Sequence, residues 1–198
     1  MEEKLNELPS SKQLEEELYR TRYRQRYRRV LRSTVYTLIT VAAVAVLVAT
    51  LLMPVLQVYG SSMSPTLTDR DIVLSLKQTD FESGDVVAFY YNNKILVKRV
   101  IAQSGEWVDI TENGDVYVGK TSNDMHLLDE PYLEEKALGN YDIEFPYQVP
   151  ESRVFVMGDN RSISVDSRSS AVGCVAEEQL VGKLVFRVWP LTAFGEID

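Results

Sequence analysis

The sequence predicts a mainly β protein in which one transmembrane helix precedes an antiparallel β domain. Two observations support this fold class. No charged residue occurs from residue 33 to residue 68, and the apolar part of this stretch, 35–56, covers the roughly 20 residues that a helix needs to cross a bilayer. Beyond it, short runs rich in β-branched and aromatic residues alternate with turn residues, which is typical of antiparallel β structure.

The charge distribution divides the chain at residue 58. Residues 1–58 hold nine Lys/Arg against six Asp/Glu, a net charge of +3, whereas residues 59–198 hold twelve against twenty-three, a net charge of −11. The acidic main domain argues against nucleic acid as a partner, because phosphate binding needs a basic surface. The single cysteine, Cys174, excludes an intrachain disulfide and a Cys-rich zinc site.

The basic residues predict the orientation of the helix. Seven arginines precede the apolar run, whereas the first charges after it are Asp69 and Arg70. Because Lys/Arg-rich segments stay on the cytoplasmic side of a membrane, we expect a cytoplasmic basic segment 1–32, a transmembrane anchor 33–58 and an extracytoplasmic domain 59–198. The arginines would then either meet anionic lipid headgroups or act only as a solvated topology signal with no specific partner.

A cleaved signal peptide is the alternative to a retained anchor. Ala43-Val44-Ala45 has the small-x-small pattern of a cleavage site. However, the apolar region of a signal peptide spans only about 7–15 residues, whereas more than ten further nonpolar residues follow Ala45 here. We therefore predict a retained anchor.

Seven runs after the anchor predict strands. They are residues 71–74, 85–90, 95–101, 107–110, 115–118, 154–157 and 184–188. Asn113-Gly114 between two of these runs is a strong hairpin signal, and residues 176–180 are expected to form a helical turn. Residues 121–151, here called the acidic segment, are interrupted by prolines, so we expect an excursion from the sheet that forms a flap.

The first candidate for chemistry is a cluster of serines in residues 60–67, GSSMSPTL. A serine nucleophile needs a base to take its proton. The only histidine, His126, lies in an acidic loop, and there is no Gly-x-Ser-x-Gly elbow. A Ser-His-Asp triad is therefore disfavoured, although chain order alone does not exclude one.

A lysine can serve as the base if burial lowers its pKa from about 10.4 toward about 7–8. Lys98 lies inside a strand-like run, with Leu96 and Val100 on the same face. The alternative is a surface lysine that protects an edge strand from unwanted pairing. The other lysines of the main domain lie beside turn or acidic residues: Lys77, Lys94, Lys120, Lys136 and Lys183.

Three segments together resemble the motifs of bacterial type I signal peptidases. They are residues 60–67, residues 84–87 followed by 98–100, and residues 158–168, GDNRSISVDSR. The resemblance extends to 181–183, and the single anchor with a short outer domain is similar to Gram-positive members. It implies an all-β, partial-barrel serine protease with a Ser/Lys dyad, which removes signal peptides from exported preproteins and requires no metal or organic cofactor.

The resemblance also assigns roles to individual residues. Ser62, which precedes Met63, is expected to be the nucleophile, and Lys98 the general base. The residues expected to orient the lysine and support the site are Ser164, Asp166, Arg168 and Arg99. For residues 159–161, a purely structural turn is the alternative.

Family substrates have small residues at the first and third positions before the cut, and the peptide pairs as an added strand. By resemblance, the pairing edges are the residues just before Ser62 and those leading to Lys98. Expected oxyanion or substrate contacts are Ser61, Tyr59, Met63 and Val97. Gly60 replaces a serine of Gram-negative members, so a side-chain oxyanion donor is absent or supplied by Ser61. Membrane lipids and the secretion translocon are further expected partners.

Two other functions compete with this hypothesis. A self-cleaving Ser/Lys regulator related to SOS repressors would be soluble and carry a helix-turn-helix, which does not match an anchored chain with an acidic domain. A membrane-tethered β domain that only binds partners would be favoured by replacement of Ser62 or Lys98, and both are present.

Overall fold

The computed structural model describes residues 10–77, 80–136 and 141–197. Parts of two predicted segments, residues 1–9 of the basic segment and 137–140 of the acidic segment, lie outside the described residues. The chain divides into two compact units at residues 49 and 50.

The first unit consists of helix α1, Ser11–Leu52, whose last residues extend into the second unit. The backbone N–H of Ser10 donates to Gln13 Oε1 at 2.9 Å, which is one half of a capping box. By length and composition the helix can cross a membrane. Because Pro54 cannot continue a helix, the helix ends at Leu52. The predicted anchor, 33–58, therefore extends beyond the C-terminal end of the helix. Residues 55–57 form a strand instead.

The second unit confirms the mainly β fold class. All strand pairs in the described residues are antiparallel. The strands are β1 Val55–Gln57, β2 Ile72–Leu76, β3 Val86–Tyr91, β4 Lys94–Ala102, β5 Trp107–Ile110, β6 Val116–Thr121, β7 Asp124–Leu127, β8 Tyr147–Gln148, β9 Arg153–Met157, β10 Val175–Ala176, β11 Leu180–Trp189 and β12 Gly195–Glu196.

These strands form two sheets. The larger has the order β1-β2-β11-β3-β4-β9-β10, with β12 paired to β11, and the smaller has the order β7-β6-β5-β8. Two short 3-10 turns, Glu177–Gln179 and Leu191–Ala193, flank β11. A buried apolar cluster that includes residues of the larger sheet also contains Met63 and Leu67, so the serine-rich segment 60–67 is anchored by its own apolar side chains.

The acidic segment is less of an excursion than its sequence predicts. Its two ends form β7 and β8, which pair with β6 and β5 of the smaller sheet. Three of the four residues of β7 are exposed, and an edge strand exposed on both faces has no apolar alternation to mark it. The remaining described residues of the segment lie between these strands and pass close to the site described next.

Candidate active site

Residues 60–67 form a tight turn that presents Ser62. Gly60 has φ +88°, a left-handed conformation that glycine adopts without strain, and its N–H donates to Asp69 Oδ1 at 2.8 Å. The buried side chains of Met63 and Leu67 fix the other end of the turn. Ser62, between Gly60 and Met63, is half-buried, so its hydroxyl can face both the protein interior and a bound molecule.

Ser62 contacts the predicted base. Lys98 Nζ lies 2.7 Å from Ser62 Oγ, and the Lys98 residue is only 3% exposed. Burial lowers the pKa of Lys98 below its ordinary value, although the charges of Asp166 and Asp159 partly oppose this effect. A lysine with a lowered pKa is neutral in a larger fraction of molecules at neutral pH and can accept a proton.

The other candidate bases have different surroundings. His126 is exposed on β7, in the smaller sheet, whereas Lys98 lies on β4 of the larger one. Lys183 forms an ion pair with Asp85 at 2.5 Å. The remaining lysines of the main domain are exposed: Lys77, Lys94, Lys120 and Lys136. Lys98 is therefore the one buried lysine in the part of the chain that the structure describes.

The third motif, residues 158–168, packs against Ser62. The Asn160 N–H donates to the Ser62 carbonyl oxygen at 3.1 Å. A Cβ at Gly158 would collide with both Ser164 Oγ and that carbonyl oxygen, so glycine is what lets the segment approach. Ser164 Oγ is buried without a hydrogen-bond partner of standard geometry among the described residues, but it interacts with the Asp166 carboxylate and helps to lower the pKa of Asp166.

The Asp166–Arg168 pair holds this motif together. Arg168 Nε and Nη2 donate to the two Asp166 oxygens at 2.8 and 2.9 Å, and the Gly158 N–H donates to Asp166 Oδ2 at 2.9 Å. Burial alone would raise the pKa of Asp166, but the hydrogen bonds and charge of Arg168 lower it below its ordinary value. The carboxylate therefore stays ionised and keeps its partners.

A second buried ion pair joins all three motifs. Arg99 Nε and Nη2 donate to the Asp159 oxygens at 3.0 and 2.7 Å, and Arg99 Nη1 donates to the Gly84 carbonyl at 2.7 Å. Thr66 Oγ1 donates to Asp159 Oδ2 at 2.5 Å. The side chains of Arg99 and Asp159 are 2% and 0% exposed. Asp159 thus does more than close a turn, because it connects the segments of Ser62 and Lys98.

A cleft of about 500 Å³ opens beside the Ser62–Lys98 contact. It is lined by residues 56–59 on one side and 94–98 on the other, together with Ser62 and Met63. Of the substrate contacts expected from sequence, Tyr59, Met63 and Val97 line this cleft, whereas Ser61 is exposed and is not among the lining residues.

Both walls of the cleft have open strand edges. Among the described residues, β1 is the end strand of its sheet and pairs only with β2. β9 pairs with β4 from Arg99 onward, so residues 94–98 have a strand partner on the β3 side only, within the described part of the chain. An extended peptide can add to such an edge.

Sequence reasoning missed residues of the acidic segment that complete the site. The Tyr132 ring lies 3.9 Å from Arg99 Cζ, and Glu130 forms a buried ion pair with Arg161. Neither residue has a periodic or motif signal in the sequence. Their contribution depends on tertiary contacts with residues about thirty positions away.

Comparison with known proteins gives a family match. The model of the family "Signal peptidase, peptidase S26" matches residues 31–189. The chain is 37% identical over 156 residues to signal peptidase IB of Staphylococcus aureus, covering 68% of this chain and 77% of the relative. It is 32% identical over 168 residues to chloroplastic thylakoidal processing peptidase 1 of Arabidopsis thaliana, covering 76% and 46%.

A solved structure is also similar. The crystal structure of a signal peptidase I from Enterococcus faecalis V583 has 25% sequence identity and a TM-score of 0.39, covering 53% of this chain and 97% of the other. The family model and the curated relatives confirm the resemblance that the three sequence motifs indicate.

Proposed function

This chain belongs to the signal peptidase family, peptidase S26, and we propose that it is a membrane-bound endopeptidase that cleaves signal peptides from exported preproteins with a Ser62–Lys98 dyad. Family membership makes it a serine peptidase that hydrolyses peptide bonds. The single observation that carries the assignment of the dyad is the 2.7 Å contact between Ser62 Oγ and the Nζ of buried Lys98.

The proposed reaction is acyl transfer through an ester intermediate. Neutral Lys98 takes the Ser62 hydroxyl proton as the oxygen attacks the scissile carbonyl carbon. The C–N bond then breaks, and Lys98 gives the proton to the departing amine of the mature protein. Lys98 next deprotonates a water molecule, which hydrolyses the ester, and the proton returns to Ser62.

The oxyanion of each tetrahedral intermediate needs donors, and we assign them to backbone N–H groups around Ser62. The Gly60 N–H already donates to Asp69. A serine at position 60 would have room for its Cβ but would be strained at φ +88°. The turn itself therefore explains why a side-chain donor is not supplied from position 60.

Ser164, Asp166 and Arg168 are proposed to keep Lys98 oriented. The Asp166–Arg168 pair fixes the backbone of residues 158–168, and the buried Ser164 Oγ packs against the Ser62 side of that backbone. As the family resemblance implies, the Ser164 hydroxyl is proposed to hydrogen-bond the neutral lysine during the reaction.

The substrate is proposed to lie in the cleft as an added strand between residues 56–59 and 94–98. As the family resemblance implies, the residues at the first and third positions before the cut are proposed to be small. The apolar part of α1 and the preceding arginines support a single-pass bacterial membrane protein with residues 1–32 in the cytoplasm and 59–198 outside. Lipids, and the translocon that delivers preproteins, would then be its neighbours.

The test is cleavage of a preprotein with a small-x-small site by the purified full chain in detergent. We expect site-specific cleavage by the parent and near-total loss in Ser62→Ala and Lys98→Ala. Matched controls are Ser122→Ala and Lys120→Ala, which change exposed residues of the same types and should retain activity. Retained activity in Lys98→Ala together with loss in His126→Ala would refute the dyad.

A further inference from the structure

The turn Glu130-Pro131-Tyr132 of the acidic segment contacts two arginines of the site. The Tyr132 ring lies 3.9 Å from Arg99 Cζ, which is a cation–π geometry. Glu130 binds Arg161 through both carboxylate oxygens, and Tyr132 Oη donates to Glu130 Oε1 at 2.9 Å. The turn thus links its two contacts internally.

Both arginines are connected to residues of the dyad. Arg99 follows Lys98 on β4 and is held by Asp159. Arg161 Nε donates to the Gly158 carbonyl at 3.1 Å, and Gly158 packs against Ser164 Oγ and the Ser62 carbonyl. The turn therefore bears on the lysine side of the dyad through Arg99 and on its serine side through Arg161.

The contacts are buried, which makes them consequential. The side chains of Arg161 and Glu130 are 2% and 5% exposed. A buried guanidinium is stable only while it is paired, so the position of Arg161 depends on Glu130. The Tyr132 ring covers one face of the Arg99 guanidinium and keeps water from that face.

We propose that Glu130 and Tyr132 are positioning residues for the Ser62–Lys98 dyad, acting through Arg161 and Arg99. This inference rests on the proposed function, because it assumes that Lys98 is the base. The acidic segment then has a specific role, since its central turn covers one arginine of the site and neutralises the other. Neither Glu130 nor Tyr132 touches the reacting atoms.

Loss of the turn would also change the pH dependence of cleavage. Three charged side chains act on Lys98: Asp166 and Asp159 favour its protonated form, and Arg168 disfavours it. All three belong to the segment that Arg161 holds in place, and the residue paired with Lys98 on β3 is the uncharged Val87. Without the turn, the segment that carries these three charges would lose the Glu130–Arg161 ion pair, and a change in the distances of the charges from Lys98 would shift the pKa of Lys98.

The test compares Tyr132→Leu, Tyr132→Phe and Glu130→Gln in the full-length protein in detergent. For Tyr132→Leu and Glu130→Gln we expect kcat to fall by about tenfold or more, with KM nearly unchanged, and the acidic limb of the kcat/KM profile to shift. Tyr132→Phe keeps the ring over Arg99 and should retain most of the parent kcat. Glu134→Gln removes the same charge from an exposed residue of the segment and is the matched control.

Two results would show that Glu130 and Tyr132 are not positioning residues. Parental kcat and pH profile in Tyr132→Leu and Glu130→Gln would overturn the inference. So would losses that merely match the fraction of unfolded protein in thermal melts, with the pH profile of the folded remainder unchanged, since a purely structural brace predicts that result. Failure of the proposed function itself is distinguishable, because the parent would then not cleave, or Lys98→Ala would remain active.

Discussion

The ion pair between Arg99 and Asp159 gives the sharpest stability prediction. Its side chains are 2% and 0% exposed and share two hydrogen bonds, at 3.0 and 2.7 Å. Asp159→Asn preserves the shape but leaves the Arg99 charge buried without a counter-charge from Asp159. Removing one partner of a buried pair costs about 3–5 kcal/mol, against a total stability of about 5–15 kcal/mol for a typical domain. We therefore expect Asp159→Asn to lose a large share of the free energy of unfolding.

The assay is urea unfolding of the full chain in detergent, followed by tryptophan fluorescence. The matched control is Asp115→Asn, because Asp115 pairs with Lys136 at the surface, where the two side chains are 29% and 48% exposed. Such a pair contributes about 0–1 kcal/mol. Equal losses in the two variants, or a loss below about 1 kcal/mol in Asp159→Asn, would refute the conclusion that the buried pair joins the three motifs.

Three further predictions concern the dyad, the third motif and the orientation. Because burial lowers the pKa of folded Lys98, the unfolded chain binds more protons between that pKa and about 10.4, so the stability of the parent rises with pH in this range. Lys98→Met should therefore be more stable than the parent near neutral pH, by a margin that shrinks toward about pH 10. Equal pH dependence of the unfolding free energy in the two proteins would contradict this prediction. Gly158→Ala should abolish cleavage, because a Cβ at this position collides with Ser164 and Ser62, while the protein still binds to membranes. Full activity would show that the third motif can move to accommodate the added methyl group. In protoplasts with an intact membrane, added protease should degrade residues 59–198. Full protection of these residues would refute the proposed orientation.

The sequence was sufficient for most of the larger sheet, because its strands combine β-branched residues with clear turn signals. In the smaller sheet, the run 107–110 coincides with β5, and the Asn113-Gly114 turn joins β5 to β6 as predicted. Strand β1 was missed because Val55 and Leu56 continue the apolar run of the helix, and only Pro54 marks the boundary. Strands of two residues, such as β8 and β10, are too short for any periodicity to appear.

The sequence predicts the main residues of the proposed site but not the contacts around them. Lys98 could be selected as a polar residue inside an apolar run, and the family resemblance linked it to Ser62, thirty-six positions away. The contacts of Glu130 and Tyr132 could not be predicted in this way. They depend on how the acidic segment returns to the smaller sheet, and no local pattern in the sequence encodes that path.

The central claim is that a neutral Lys98 is the base for Ser62. It is tested most directly by NMR titration of lysine side chains in the isotope-labelled full chain in detergent, with Lys98→Met identifying the Lys98 signal. Our account predicts a Lys98 pKa below the ordinary value of about 10.4 that coincides with the acidic limb of the kcat/KM profile for preprotein cleavage. An ordinary Lys98 pKa, or a cleavage profile independent of it, would contradict the account.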